Sequence, residues 1–312
     1  MYDSDLFGVE NPYNGEIGYC CVLGNMGEVF GLAVYLGTEG LGGYLEIQSG
    51  EIEPNDTDII HIQKCLIVTF EDRKLLSEPD LQIIRELGLR FRGRRAWPFF
   101  RNYEPGHPPW YLQADEVKYL TLVLEQATEI CLRFTENMNM FAPSREGLYF
   151  VRVPKKEGRS FTWGDAWLEP KPLREERTAE TLDGVRLQEI KKRGFPRKGI
   201  WEIDIFYSPT AVREKRERPW FPIAFLCMDH YSSLILNIHL ASHSEYRSEF
   251  LDQLLHLIER TELLPEEILL LKKEAYELFS PLASSMGIKL KLCKQLEVLE
   301  EAKAGLFDFI RT

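Results

Sequence analysis

Both halves of the chain alternate short apolar runs, bounded by turn residues, with longer stretches of helical periodicity. Two apolar runs around a Gly/Asn turn within 16–36 predict a β-hairpin, and Pro222–Met228 with Leu234–Leu240 predict a second one. In each half the hairpin is followed by a helix, a strand, a helix, a short basic strand and a further helix. This order predicts an α/β fold (mixed α+β) that consists of two modules, each built on a mixed sheet of parallel and antiparallel strands.

The shared order of elements suggests an internal duplication. The second hairpin strand begins near residue 29 in the first half and near 234 in the second, and the next strand begins 36 and 34 residues later, respectively. Each following helix ends in a similar phrase, Glu86–Arg92 and Ser285–Lys291, with glycine at its third position. A duplicated module would explain these similarities, and so would two unrelated α/β domains that use the same common helix cap.

The composition is that of a globular protein with a net negative charge. Of its 312 residues 44 % are hydrophobic, which excludes a disordered, collagen-like or coiled-coil architecture for the whole chain. At about 100–200 residues per domain, the length predicts two domains. The formal net charge of −11 argues against a surface that coats nucleic acid or an anionic membrane throughout, but it is compatible with a local basic patch.

Two polar stretches, 137–146 and 170–198, predict where the domains end. They divide the chain into an N-terminal α/β module at 1–140, a connecting segment with one strand and a charged linker at 141–198, and a C-terminal module at 199–312.

The sequence also carries signals about compartment and cofactors. It shows neither a secretory signal at its start nor a window of ~18–20 apolar residues that would span a membrane. Its six cysteines form no C-x-x-C motif. No P-loop, G-x-S-x-G or G-x-G-x-x-G motif follows a strand. We therefore expect a cytoplasmic protein with reduced cysteines, no membrane partner and no cofactor.

The segment 89–111 carries the densest chemistry, because five arginines are interleaved with aromatic side chains within 23 residues of an acidic protein. Arginine offers forked donors to phosphate or carboxylate, and aromatic faces stack on bases. The segment therefore predicts a site for phosphate, nucleic acid or an acidic peptide. The candidate ligand-binding residues are Arg92, Arg94, Arg95, Trp97, Arg101 and Trp110. The alternative is an ordered loop whose aromatic residues fill the core and whose arginines pair with acids.

The second half has a pattern of its own, which begins with Trp201–Asp204 and the hairpin and ends with Pro265–Ile268 and Met286–Ile288. Over about 110 residues it resembles the ribonuclease-H-like fold, in particular the core of retroviral-type integrases and transposases. The resemblance implies three antiparallel strands followed by alternating helices and parallel strands.

Enzymes of that fold hold two metal ions with three or four carboxylates. The resemblance places Asp204 at the first carboxylate position, but Lys272 and Lys273 stand where the second is expected, before Glu274. The last helix offers Glu300 and Glu301. One hypothesis is thus a Mg-dependent nuclease or phosphotransferase that uses Asp204, Glu274 and either Glu300 or Glu301. The other is a degenerate module that keeps the fold without a metal site.

The whole chain is also similar to a family of uncharacterised bacterial proteins built from two domains of unknown function. The similarity rests on Glu16–Tyr19, Leu32–Gly37, the phrases Phe91–Gly93 and Ala96–Pro98, and Pro105–Gly106 with Pro109–Trp110. It implies no activity. Taken together, the residues favour a non-enzymatic binding or scaffolding protein with nucleic acid or an acidic protein as its partner.

Overall fold

The chain forms two compact units, 1–174 and 175–312. The computed structural model describes residues 1–2, 4–27, 29–50, 59–142, 147–158, 160–172, 184–213 and 217–311, with side chains up to 308. None of the described helices combines the length and the apolar character needed to cross a membrane.

The first unit is built on one seven-stranded sheet with the order β5-β4-β3-β2-β1-β6-β7. Its strands are β1 (Phe7–Glu10), β2 (Ile17–Leu23), β3 (Gly31–Leu36), β4 (Cys65–Glu71), β5 (Trp97–Tyr103), β6 (Tyr149–Glu157) and β7 (Ser160–Leu168). Its helices are α1 (Gly37–Ser49), α2 (Ile59–Ile62), α3 (Glu78–Glu86) and α4 (Ala114–Glu136). The predicted hairpin at 16–36 is confirmed as β2 and β3, which pair antiparallel.

The two faces of this sheet are buried by different helices. The apolar side of α4, with Leu120, Val123 and Ile130, packs against Phe7 and Leu66 in one core. Leu41 and Tyr44 of α1 form the second core on the opposite face. The sheet is mixed because β1 pairs antiparallel with β2 but parallel with β6.

The second unit contains a five-stranded mixed sheet with the order β10-β9-β8-β11-β12. Its strands are β8 (Ile200–Tyr207), β9 (Ile223–Asp229), β10 (Ile235–Ala241), β11 (Glu267–Leu270) and β12 (Lys289–Leu292). Its helices are α5 (Gly184–Arg193), α6 (Tyr246–Thr261), α7 (Lys273–Met286) and α8 (Glu297–Arg311). Helices α6 and α7 cover one face of the sheet, and α8 covers part of the other.

The strand order of the second unit confirms the predicted ribonuclease-H-like fold. The strands β8, β9 and β10 form an antiparallel meander, while β11 is parallel to β8 and β12 is parallel to β11. A helix follows each of β10, β11 and β12. This is the arrangement of three antiparallel strands followed by alternating helices and parallel strands that the resemblance implies.

The predicted correspondence between the strands near 65 and near 268 does not hold. Strand β4 lies antiparallel to β3 on the far side of the hairpin, whereas β11 lies parallel to β8. The two units do share four strands in the same order and orientation, β3-β2-β1-β6 and β10-β9-β8-β11. Along the chain of the first unit, β4 and β5 come after β3 and before α4. In the second unit, the chain between β10 and α6 contains no strand.

The division between the units also differs from the predicted boundaries. Strands β6 and β7 lie within the predicted connecting segment 141–198, yet they complete the first sheet. Helix α5 lies in the same segment, and its Leu187 and Ile190 are buried in the core of the second unit. Both ends of that segment therefore belong to compact units, because each contributes apolar side chains to a core.

Candidate functional site

Part of the arginine-rich segment folds into a pocket of the first unit. A cavity of about 270 Å³ lies between α3, the chain that follows it and β5. Gly88 has a φ of 66°, a conformation that favours glycine, and it turns the chain at the end of α3. We call this cavity the Arg/aromatic pocket; its lining residues are Arg73, Leu81, Ile84, Arg85, Leu89, Arg90, Phe91, Arg92 and Trp97.

The pocket has an aromatic wall. The rings of Phe91 and Trp97 lie with centroids 5.8 Å apart at an interplanar angle of 59°. The guanidinium carbon of Arg73 lies 5.7 Å from the centroid of Trp97, a favourable cation–π distance. The wall therefore offers ring surface beside positive charge.

The pocket is also strongly positive. Residues 73–101 contain eight basic and three acidic side chains, a balance of +5 in a chain whose net charge is −11. Arg85 forms an exposed ion pair with Glu78. Arg90 and Arg92 are exposed, and the described part of the chain gives neither of them an ion pair or a hydrogen bond. These two guanidinium groups are available to a ligand.

A buried ion pair holds α3 against the sheet and so fixes one wall of the pocket. Arg101 of β5 donates two hydrogen bonds, of 2.9 and 2.7 Å, to the carboxylate of Asp80 in the first turn of α3. Ser77 caps the helix and also donates to Asp80. The Arg101 guanidinium lies 3.9 Å from the centroid of Phe99 and 4.7 Å from that of Tyr111. Burial tends to raise the pKa of Asp80, but the hydrogen bonds from Arg101 and Ser77 outweigh it and hold the pKa below its ordinary value.

Replacing Asp80 with Asn should destabilise the first unit by about 3–5 kcal/mol, because Arg101 would then be buried without a counter-charge. The lowered pKa also sets a pH dependence. The ion pair contributes fully above the pKa of an unfolded Asp, about 3.9, and its contribution is lost as pH falls through the folded-state pKa. Urea unfolding of both proteins between neutral and acidic pH should therefore show a smaller stability difference at acidic pH. A difference that does not depend on pH would contradict this assignment.

The structure places only some of the predicted ligand residues in the pocket. Arg92 and Trp97 line it, and exposed Arg94 does not. The backbone N–H of Arg95 donates to Asp72, and its side chain donates to the carbonyl oxygen of Gly27 at 2.6 Å. Arg101 is held in its ion pair with Asp80. Trp110 lies outside the pocket, where its backbone bridges to Asn102 of β5 and its ring lies 5.3 Å from that of Tyr111.

Three pocket arginines were not among the predicted ligand residues. Arg90 belongs to the predicted segment, but Arg73 and Arg85 precede it. Arg85 follows Leu81 by four residues on α3, so the helical spacing puts both on one face. That spacing was the available signal, whereas nothing in the sequence around Arg73 points to Trp97.

Asp204, which the resemblance places at the first carboxylate position, forms an ion pair within the second unit. Asp204 lies on β8, is 1 % exposed and faces α8. The ammonium group of Lys303 in α8 lies 3.2 Å from Oδ2 of Asp204 and 4.4 Å from the centroid of Phe206. The other carboxylate oxygen, Oδ1, accepts a hydrogen bond from the N–H of Ile205. A lysine therefore supplies the positive charge beside this carboxylate.

Glu202 lies on the same face of β8, two residues before Asp204, and sequence reasoning missed it. One of its carboxylate oxygens lies 2.5 Å from Nδ1 of His230. The other is buried and has no hydrogen-bond partner in the described structure. The alternation of polar and apolar residues in Trp201–Phe206 was the signal that could have placed Glu202 and Asp204 side by side.

The other predicted carboxylates do not converge on Asp204. Glu274 accepts a hydrogen bond from the hydroxyl of Tyr246 on α6, on the opposite face of the sheet. Glu300 and Glu301 are exposed on α8. Among the residues that the structure describes, no three His, Cys, Asp or Glu side chains lie close enough together to hold a metal ion. The carboxylates present thus do not fit the two-metal site that the fold family implies.

Comparison with known proteins identifies two domains. Residues 1–152 match a family described as a domain of unknown function, DUF7309, and residues 186–307 match a second one, DUF6930. The predicted combination of two domains of unknown function is confirmed. No curated protein matches the chain.

Two solved structures show limited similarity. The catalytic core domain of BIV integrase is 13 % identical, with a TM-score of 0.26, and the match covers 35 % of this chain and 67 % of that one. The HTLV-2 integrase catalytic core domain in complex with magnesium is 18 % identical, with a TM-score of 0.25 and coverages of 36 % and 68 %. The ribonuclease-H-like assignment of the second domain rests on its own strand order rather than on these scores.

Proposed function

We propose that the chain is a non-catalytic binding protein whose first domain takes single-stranded nucleic acid at the Arg/aromatic pocket. One observation carries the proposal. Exposed Arg90 and Arg92, without a partner in the described structure, flank a cavity walled by Phe91 and Trp97.

Phosphate is the anion that these arginines suit best in this setting. A guanidinium group donates two parallel hydrogen bonds to a phosphate or a carboxylate. A carboxylate-bearing peptide would use the same donors, but it would leave the rings of Phe91 and Trp97 without a flat partner. A nucleotide supplies both the anion and the ring, so the combination favours nucleic acid over an acidic peptide.

The size and exposure of the pocket favour a single strand. A cavity of about 270 Å³ is small for a ligand pocket and suits one base rather than a base pair. In a duplex the base faces are stacked on one another, whereas a single strand can turn a base onto an aromatic side chain. Arg90 and Arg92 would then contact the phosphates on either side of that base.

The second domain supports the non-catalytic part of the proposal. The ammonium group of Lys303 lies against Asp204, and the nearest charged side chain on that face of β8, Glu202, pairs with His230. Within the described residues, the carboxylates do not form the donor set that two-metal hydrolysis of a phosphodiester requires.

The test is the affinity of the chain for a fluorescent single-stranded oligonucleotide, measured by anisotropy over a range of salt concentrations. Replacing Arg90 and Arg92 with Gln should weaken binding at low salt by at least ~10-fold. It should also reduce the slope of log K against log salt by roughly 1.4, because each lost phosphate contact on a single strand accounts for about 0.7.

The matched control replaces Lys191 and Lys192 with Gln, since these two exposed lysines of α5 carry the same charge far along the chain from the pocket. An equal loss of affinity in the control would show that the effect arises from the net charge of the chain and not from the pocket. Failure to bind any single strand at low salt would refute the proposal, and tighter binding of a polyglutamate peptide would assign the pocket to acidic proteins instead.

A further inference from the structure

Strand β10 leaves one edge of the second domain unprotected. Among the edge strands of the two described sheets, β5 carries Pro98 and Arg101, β7 carries Asp165, and β12 carries Lys289 and Lys291. Charged residues and proline on an edge strand prevent it from pairing with another strand. Strand β10, with the sequence ILNIHLA, has neither a proline nor an Asp, Glu, Lys or Arg.

One face of β10 is apolar and exposed. Ile235, Ile238 and Leu240 are 52 %, 41 % and 50 % exposed. In the antiparallel register Ile238 lies opposite Leu226 and Leu240 lies opposite Ala224, both of which are buried beneath α8. The apolar face of the sheet that packs against α8 thus extends beyond α8 to the edge strand, where its side chains are exposed.

The polar residues of β10 are already engaged on the other face. Asn237 donates a hydrogen bond to Gln253 of α6 at 2.9 Å, and Nε2 of His239 lies 2.5 Å from Glu249 of α6. The register shift between Ile235 and Asn237 confines the regular part of the strand to 237–241. Over these residues the described structure supplies β9 on one side and no strand on the other.

We propose that β10 is a dimer interface, at which the β10 of a second copy pairs antiparallel about a twofold axis. A strand paired antiparallel with itself forms a self-complementary contact, which a closed dimer requires. Among the edge strands of the two described sheets, β10 is the one whose partner copy would add no proline and no Asp, Glu, Lys or Arg to the contact. The pairing would join two five-stranded sheets and would bury Ile238 and Leu240 against their counterparts.

Analytical ultracentrifugation of the full chain tests the proposal. It should be run at physiological ionic strength, where the Debye length of about 8 Å screens the net charge of −11 on each copy. We expect a dimer. Ile238→Lys and Leu240→Lys should each raise the dimer dissociation constant by roughly 100-fold, because twofold symmetry brings two like charges together.

Leu132→Lys serves as the control, since it introduces the same charge at an exposed apolar position of α4 in the first domain. Hydrogen exchange of the unaltered chain is a second test, and its result does not depend on whether the variants fold. Hydrogen exchange at 237–241 should slow as the protein concentration rises. The proposal is overturned by a monomer at all concentrations, by a dimer that persists in both β10 variants, or by exchange that does not depend on concentration.

Discussion

Replacing Lys303 with Met is expected to lower the free energy of unfolding of the second domain by about 3–5 kcal/mol. The change leaves the Asp204 carboxylate, which is 1 % exposed, without its counter-charge, and a lone buried charge is strongly destabilising. Hydrogen exchange of the peptides that contain β8 and α8 measures this loss within the second domain, apart from events in the first.

A double-mutant cycle shows whether the ion pair itself is responsible. Asp204→Asn should lower the free energy of unfolding by less than Lys303→Met does, because Lys303 is 25 % exposed and its ammonium group can turn towards water. Adding Asp204→Asn to Lys303→Met should recover at least about 2 kcal/mol, since it removes the uncompensated charge. Lys294→Met, an exposed lysine ahead of α8, is the matched control and should be nearly neutral.

The same variants distinguish an internal ion pair from a metal site. With Lys303 beside Asp204, Mg²⁺ and Mn²⁺ should leave the melting temperature of the unaltered chain unchanged. A metal-dependent rise that disappears in Asp204→Asn would instead restore the hypothesis of a metal-dependent nuclease or phosphotransferase.

Elements with strong local signals were predictable from the sequence. Helix α3 begins where Ser77 and Pro79 predict it, because the cap and the proline act through neighbouring backbone groups. The long helix α4 follows the helical spacing of its apolar residues, of which Leu120, Val123 and Ile130 are buried. The five strands of the second sheet follow continuous apolar runs or simple alternation.

The missed elements lack such signals. Strand β5 lies in the segment 89–111, for which an ordered loop is one of the two interpretations of the sequence, yet an edge strand tolerates a proline such as Pro98. Helix α5 lies in the segment that the sequence predicts to be a charged linker; the buried residues of this helix are Leu187 and Ile190. In both cases the partner that stabilises the element lies elsewhere in the chain.

The candidate site shows the same limit. The sequence indicates that 89–111 is rich in arginine, but it does not distinguish a structural arginine from a free one. Arg101 lies on β5 between Phe99 and Tyr103, and its partner Asp80 is 21 residues earlier on α3. The distinction depends on tertiary contacts, which decide that Arg101 is buried and that Arg92 is exposed.

Replacing Trp97 with Leu is expected to weaken binding of single-stranded nucleic acid by about 10- to 100-fold, because stacking of one base on an aromatic side chain contributes about 1–3 kcal/mol. Leu keeps the apolar contact with Phe91 while it removes the flat ring from the wall of the pocket. The slope of log K against log salt should stay as it is in the unaltered chain, because an indole ring carries no charge that could neutralise a phosphate.

Trp110→Leu separates the pocket from the segment as a whole. Trp110 belongs to the same arginine-rich segment but lies outside the cavity, so its replacement should leave affinity nearly unchanged. Equal losses in both tryptophan variants would place the binding surface along the whole segment rather than in the pocket. A lower salt slope in Trp97→Leu would mean that the ring acts by positioning Arg73, whose guanidinium carbon lies 5.7 Å from it, rather than by stacking on a base.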